Sequence, residues 1–304
     1  MSQIRLRDNR LEIGARFSFR LERTLRVPTD GSTYPLPPSL GSFPLYRVAD
    51  FSKRMPRALR NGAAYFIPMY QWEAMWVSFQ AADWKPNAVQ VASGGINALT
   101  GEPYPCRLRT DPQNYLVCPL QPWLDGFKTG DGTVSQFIAA PLGQGLTVEE
   151  QITSRTAKGG LTVRVFEPKP GVFPDRPPKS AEQLSRVYAL ESFQASGLGL
   201  GAGGSIEQKV YPDPNGVRTW DGNNSTEVSI ALINSEAFLE IVGEAPPPSP
   251  ISVDDYNRWG FPWFKLYDDE ANALIATSAL KNVKPVRLGD KPLKPKQVKD
   301  IKRQ

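Results

Sequence analysis

Four aspartates are the residues of this chain best suited to acid–base chemistry or metal binding. Asp125 and Asp131 lie in the glycine-rich segment 123–133, whereas Asp213 and Asp221 lie beside aromatic residues. Carboxylates near aromatic rings are typical of sugar chemistry, and carboxylates on a flexible turn can hold Ca²⁺. Asp-Gly and Asp-Pro pairs are also ordinary turn formers. We therefore weigh a catalytic set of all four, with a weak calcium site at Asp125 and Asp131, against plain structural turns.

The chain contains no histidine and two cysteines. These counts exclude Ser-His-Asp and Cys-His nucleophilic machinery, metal sites built on histidine, and a thiolate zinc or iron–sulfur site within one chain. Catalysis would have to rest on carboxylates, lysine, tyrosine, hydroxyls or a hard metal held by oxygens. We expect no cofactor.

The glycine-rich run 197–204 has the composition of a phosphate-binding loop. Such a loop needs a helix after it and usually ends in Gly-Lys-Ser/Thr. Here the following residues, 205–210, have strand character and the Gly-Lys-Ser/Thr ending is absent. The pattern favours a loop whose glycines allow positive φ or close approach of another backbone.

The clearest element is a long strand, or two strands joined by a bend, from Leu11 to Val27. Apolar residues alternate with polar ones, which places them on one face of an extended chain. The odd positions are Leu11, Ile13, Ala15, Phe17, Phe19, Leu21, Arg23, Leu25 and Val27. The even positions, which include Arg16, Arg20 and Arg26, form the polar face.

Short apolar or alternating runs bounded by turn residues predict further strands. These runs are 88–92, 114–118, 133–139, 161–166, 206–211 and 227–233. The aromatic cluster 65–79 is typical of core. Helices are expected to be few and short, starting at Ser180, Ser235 and Ser252, with one turn at 268–274. The sequence thus predicts a mainly β protein with a β-sandwich-like body of one or two lobes.

We divide the chain into a β-rich body (1–250), a C-terminal appendage (251–280) and a basic tail (281–304). Proline-rich residues 167–179 are a candidate sub-boundary within the body, although they are too short to require separate domains. The tail has nine Lys or Arg against two Asp. It is expected to be solvated, although it could contact an anionic partner. Its candidate contacts are Lys291, Lys294, Lys296, Lys299, Lys302 and Arg303.

The expected compartment is the bacterial cytoplasm. The first residues have no apolar stretch of the kind found in signal peptides, and no window is long and apolar enough for a membrane span. Cys106 and Cys118 could face each other across a hairpin, but a reducing cytoplasm favours two free thiols.

Several stretches resemble a family of uncharacterised bacterial proteins. They are Pro-Trp-Leu-Asp-Gly-Phe-Lys-Thr-Gly-Asp-Gly-Thr at 122–133, Tyr-Pro-Asp-Pro at 211–214 with Thr-Trp-Asp at 219–221, and Gly-Glu-Ala-Pro-Pro at 243–247 with Gly-Phe-Pro-Trp-Phe at 260–264. The resemblance covers most of residues 65–270 and implies no activity, cofactor or catalytic residue.

Two functions remain open on the sequence. The absence of histidine, the commonest general acid–base, favours a non-enzymatic binding or self-assembling protein. We expect the chain to form a homo-oligomer. The long strand offers backbone edges for pairing, and the positively charged ends of the sequence complement its acidic middle. The alternative is a carboxylate-based enzyme acting on a carbohydrate or phosphate compound.

Overall fold

The computed structural model describes residues 3–56, 62–155, 158–177, 197–260, 262–267, 272–287 and 298–302. The chain is mainly β, with few short helices, as the sequence predicts. Seventeen of the described strands join in one hydrogen-bonded sheet, which is mostly antiparallel.

The strands of the N-terminal half are β1 (Ile4–Arg7), β2 (Arg10–Ile13), β3 (Phe17–Thr24), β4 (Thr33–Tyr34), β5 (Ser39–Ser42), β6 (Tyr46–Arg47), β7 (Tyr65–Pro68), β8 (Ala74–Ala81), β9 (Asn87–Ser93), β10 (Ile96–Asn97), β11 (Leu116–Cys118), β12 (Trp123–Leu124), β13 (Gly126–Gly130) and β14 (Thr133–Pro141). Those of the C-terminal half are β15 (Leu161–Pro168), β16 (Gly197–Glu207), β17 (Trp220–Ile233), β18 (Trp263–Tyr267) and β19 (Val298–Lys302). The described α-helices are α1 (Val148–Thr153), α2 (Ser235–Val242), α3 (Val253–Arg258) and α4 (Ser278–Lys281).

The alternating segment 11–27 forms β2 and β3, which pair as an antiparallel hairpin. Its apolar odd positions are buried in the main core, as the alternation predicts, except for Ala15, which is exposed in the turn between the two strands. Arg23 is the charged residue on that face. Its Nε lies 2.6 Å from Glu73 Oε1, and both side chains are almost fully buried. Because a charge buried alone is costly, this pair anchors β3 to the turn before β8.

Helix α3 begins where the sequence indicates, and α2 does so within one residue, because its cap is Asn234 and not the expected Ser235. The N-cap of α2 is Asn234, whose side chain accepts a hydrogen bond from the Ala237 N–H, and Gly243 ends the helix in the left-handed region. Ser252 caps α3 in the same way. The helix predicted from Ser180 lies outside the described residues, and residues 272–274 of the predicted turn 268–274 are not helical.

The glycine-rich run 197–204 is a strand and not the predicted loop. It lies in β16, which pairs with β14 and β17. Within the run, no glycine from 199 to 204 has a positive φ. Close backbone approach is the part of the prediction that holds, since a Cβ at Gly204 would overlap the Pro28 carbonyl oxygen. Small residues are needed here because the segment after β3 crosses β16 at close range.

Residues from the predicted appendage pack on the main core. Tyr256, Trp263 and Leu280 are buried in the same apolar cluster as β3 and β8. Part of the segment expected to be a solvated tail is paired, because β19 forms a parallel two-stranded sheet with β18. Lys299 and Lys302 belong to β19, whereas Lys291, Lys294, Lys296 and Arg303 lie outside the described residues.

Among the described helices, none combines the length and apolar character that a membrane crossing requires.

Candidate functional site

Asp125 is buried directly after β12. Its Oδ2 accepts a hydrogen bond from Gln208 Nε2 at 2.6 Å, and its backbone N–H donates to Gln208 Oε1 at 3.0 Å. Burial raises the pKa of Asp125 to about 7, although hydrogen bonds from Trp123 and Gln208 oppose the rise. Asp125 is therefore an internal acid that changes its charge near neutral pH.

Asp131 is exposed and has other partners. Its Oδ1 accepts a hydrogen bond from the Ala276 N–H at 2.6 Å, and its Oδ2 lies 3.3 Å from Lys281 Nζ. The Ala276 bond and the nearby lysine lower the pKa of Asp131. Asp131 thus fastens the segment leading into α4. No group of three or more His, Cys, Asp or Glu side chains in the described ranges has a geometry that could hold a metal ion.

Asp213 and Asp221 act as turn and packing groups. Asp213 Oδ2 accepts hydrogen bonds from the Tyr115 hydroxyl at 2.6 Å and from Trp220 Nε1 at 2.9 Å, and its Oδ1 accepts from the Asn215 N–H. Asp221 Oδ1 accepts from the Asn223 N–H at 3.0 Å. Each of the four aspartates therefore has its own set of partners, and the catalytic role assigned to them stays a prediction.

The two cysteines are free thiols in the structure. Cys118 is fully buried, and burial raises the pKa of its thiol. Cys106 Sγ is contacted by the side-chain amides of Gln90 at 3.5 Å and Asn114 at 3.4 Å.

The most concentrated set of polar side chains lies on the polar face of β3 and β8. The antiparallel register of these strands places Ser18 opposite Gln80, Arg20 opposite Ser78, and Glu22 opposite Trp76. Side chains at directly opposed positions of paired strands lie within contact range on the same face. A cavity of about 250 Å³ opens over this face and is called the inner cavity below. Its lining comprises Arg10, Ser18, Phe19, Arg20, Glu22, Ser39, Trp76, Ser78, Phe79 and Gln80.

Glu22 is a buried acceptor at one end of the inner cavity. Its Oε1 accepts a hydrogen bond from the Ser78 hydroxyl, and its Oε2 accepts from the hydroxyls of Ser39 and Ser42, all at 3.0 Å. Three hydroxyl donors hold the carboxylate in place, and no described lysine or arginine forms an ion pair with it. The wall on this side is therefore a fixed, acceptor-bearing surface.

Arg10 and Arg20 lie beside each other on neighbouring strands. Leu11 pairs with Phe19 in the antiparallel hairpin. Arg10, one residue before Leu11, therefore lies opposite Arg20, one residue after Phe19. Burial and the nearby Arg20 lower the pKa of Arg10. Neither arginine forms an ion pair within the described parts of the chain. Like charges on adjacent strands repel, so this arrangement favours a bound anion.

Two hydrogen-bond donors at the inner cavity are buried and unused. Arg20 Nε and Trp76 Nε1 have no hydrogen-bond partner among the described residues. Buried polar groups are normally satisfied, and each exception calls for an explanation such as a missing ligand. The Trp76 ring is held from behind by Trp123, edge to face at a centroid distance of 6.3 Å. The Trp76 indole is therefore packed against a second aromatic side chain.

A second, larger cavity of about 850 Å³ continues from the first and is called the outer cavity. The two share Arg10, Ser18 and Gln80 as lining residues. In the outer cavity the Arg16 guanidinium lies 5.8 Å from the centre of the Trp84 ring. Arg16 is fixed there by an ion pair with Glu167 and by a hydrogen bond to the Lys85 carbonyl.

Sequence reasoning assigned the aromatic cluster 65–79 to the core, and most of it is buried there. Trp72 and Trp76 are only half-buried. The polar face of β3 was visible in the alternation, but its pairing with β8 was not. A tryptophan among polar neighbours at alternate positions of β8 was the one signal that could have indicated the site.

The chain matches no family model, no curated protein and no solved structure.

Proposed function

We propose that the protein is a non-enzymatic binding protein whose inner cavity holds the anionic group of a small ligand. The carrying observation is that Arg20 and Trp76 both line the inner cavity and that each has a buried donor, Arg20 Nε or Trp76 Nε1, without a partner among the described residues. An oxygen anion accepts hydrogen bonds from both donors, and arginine binds carboxylate and phosphate groups in a fixed geometry.

The charges around the cavity support an anion and not a neutral ligand. Arg10 and Arg20 place two positive charges side by side, and the hydrogen bonds to the Glu22 carboxylate come from hydroxyls. Glu12, Asp8 and Glu22 attract Arg10, but burial and Arg20 outweigh them and lower its pKa. A bound anion offsets the repulsion between the arginines. Its transfer from water costs less because hydrogen bonds from the two buried donors replace some of those it makes to water.

Binding is tested by calorimetry with glucuronate, inorganic phosphate and glucose as probes. We expect at least one of the two anions, glucuronate or phosphate, to bind, and we expect glucose to bind far more weakly. Arg20→Gln should weaken anion binding at least about tenfold, because hydrogen bonds to charged groups contribute about 1.5–3 kcal/mol. Trp76→Phe should weaken it by a smaller factor, since it removes one neutral donor and keeps the ring.

Arg47→Gln is the matched control, because Arg47 is exposed on β6 and lines neither cavity. It makes the same change in net charge. If the Arg20 and Arg47 variants lost the same affinity, the loss would come from the change in net charge and not from a contact in the cavity. That result would contradict the proposal. Absence of binding by both anions at millimolar concentration would also contradict it.

A further inference from the structure

We infer that the ligand is an acidic oligosaccharide, with a uronic acid carboxylate in the inner cavity and the adjoining sugar ring on Trp84 in the outer cavity. This inference rests on the proposed function and adds the identity of the ligand class.

The continuity of the two cavities carries the first step. The inner cavity, at about 250 Å³, is smaller than the pockets that enclose drug-sized ligands, so it suits one ring or one charged group. The shared residues Arg10, Ser18 and Gln80 lead from it directly into the outer cavity of about 850 Å³. The two cavities are therefore adjacent, and we place a ligand with its anion at Arg20 so that it extends past these residues along the polar face of β2, β3 and β8.

The mixture of donors and acceptors along this path favours sugar hydroxyls. A hydroxyl both donates and accepts, so a site for several hydroxyls needs both kinds of partner. The joined cavities provide donors from arginine, glutamine and tryptophan, and they provide acceptors from Glu12, Glu22 and Asp83. The phosphates of a nucleic acid only accept hydrogen bonds, so they would leave the carboxylate acceptors of this path unused, whereas sugar hydroxyls can donate to them.

The tryptophans provide apolar surfaces for the carbon faces of sugar rings. Trp76 lines the inner cavity and Trp84 the outer cavity, and each indole combines an apolar ring with one polar N–H. Arg16 lies over one face of the Trp84 ring and is itself fixed by Glu167 and the Lys85 carbonyl, so the inference places the sugar ring against the other face. Trp84 is thereby held in a defined place, which lowers the entropy cost of ordering it on binding.

The test is a calorimetric series with galacturonate, digalacturonate and trigalacturonate. We expect the trimer to bind at least about tenfold more tightly than the monomer, which corresponds to about 1.4 kcal/mol. Neutral maltotriose and a short oligothymidylate serve as comparison probes and are expected to bind more weakly than the trimer. In Trp84→Ala the ratio of trimer to monomer affinity should fall to near 1.

Trp259→Ala is the matched control, since Trp259 is an exposed tryptophan that lines neither cavity. It should keep the full gain from ligand length. If Trp84→Ala fails to fold, Asp83→Asn replaces it and should also reduce the gain, because it weakens an acceptor for a sugar hydroxyl.

The outcomes separate this inference from the proposed function. If monomer and trimer bind equally, the inner cavity binds an anion and the oligosaccharide inference is wrong. If oligothymidylate binds more tightly than the trimer, the ligand class is nucleic acid and the inference is also wrong. If no uronate and no phosphate binds, the proposed function itself fails.

Discussion

At the scale of single residues, some buried polar side chains have hydrogen-bond partners and others do not. Glu22, Asp125 and Asp213 are held by side-chain donors on their own structural neighbours. Arg20 and Trp76 retain buried donors without partners in the described residues. This contrast is why the proposed binding site lies on the β3–β8 face and not at the aspartates that the sequence emphasises.

Asp125 offers a prediction about stability and pH. Its pKa is about 7 in the folded protein because of burial, against about 3.9 in an unfolded chain. Between about pH 4 and about pH 7, Asp125 is protonated in the folded state and ionised in the unfolded state. The contribution of Asp125 to stability therefore falls as the pH rises through this range. Replacing Asp125 with Asn removes this titration while keeping an acceptor for Gln208.

We therefore expect the free energy of unfolding of Asp125→Asn to be close to that of the wild type at about pH 4. At about pH 8 it should be higher than that of the wild type by a few kcal/mol, since each unit of pKa shift corresponds to about 1.4 kcal/mol. Urea unfolding of both proteins across this range measures the difference, and other titrating groups cancel in the comparison. A difference in stability that does not change with pH would show that Asp125 is ionised throughout.

At the scale of elements, patterns within one segment were predictable and pairings between distant segments were not. The alternation of Leu11–Val27 and the caps at Ser252 and Gly243 depend on neighbouring residues, so the sequence reveals them. The pairing of β3 with β8 joins residues 50 to 64 positions apart in the chain, and it creates the site. The glycine-rich β16 was misassigned because glycine is rare in strands unless another backbone lies against it.

Gly204 in β16 tests this explanation. A Cβ added there would overlap the Pro28 carbonyl oxygen and come within 2.8 Å of Val27 Cγ2. We expect Gly204→Ala to lower the free energy of unfolding by about 2 kcal/mol or more, because backbone and packed side chains must shift. Gly222→Ala is the control, since no atom lies within 4 Å of its added Cβ, and it should change stability by less than about 0.5 kcal/mol. Equal effects in chemical denaturation would rule out the crowding account.

At the scale of the whole molecule, self-association remains a prediction. Strand β1 pairs with β2, and the described residues show no second strand along its other edge. Unpaired edges favour addition of another strand, while the exposed Arg5 and Arg7 on β1 oppose it unless they meet acidic residues. The acidic middle of the sequence is the expected counterpart on a second copy.

Light scattering at low salt should therefore show particles larger than the 33.7 kDa protomer, and salt near 0.5 M should reduce their size by screening. A monodisperse monomer at high concentration and low salt would contradict self-association. Arg16 contributes less to such contacts than its sequence position indicates, because Glu167 of the same chain already binds it.

The most direct test of the central claim is the indole N–H resonance of Trp76 in a ¹⁵N-labelled protein during titration with glucuronate. The chain has seven tryptophans, so the indole region is simple, and Trp76→Phe assigns the signal by its loss. We expect the Trp76 resonance to shift progressively downfield to saturation, because the buried Nε1–H donates a hydrogen bond to the ligand. The same titration of Arg20→Gln should show a much smaller shift. A Trp76 resonance that stays in place while glucuronate binds would contradict the account.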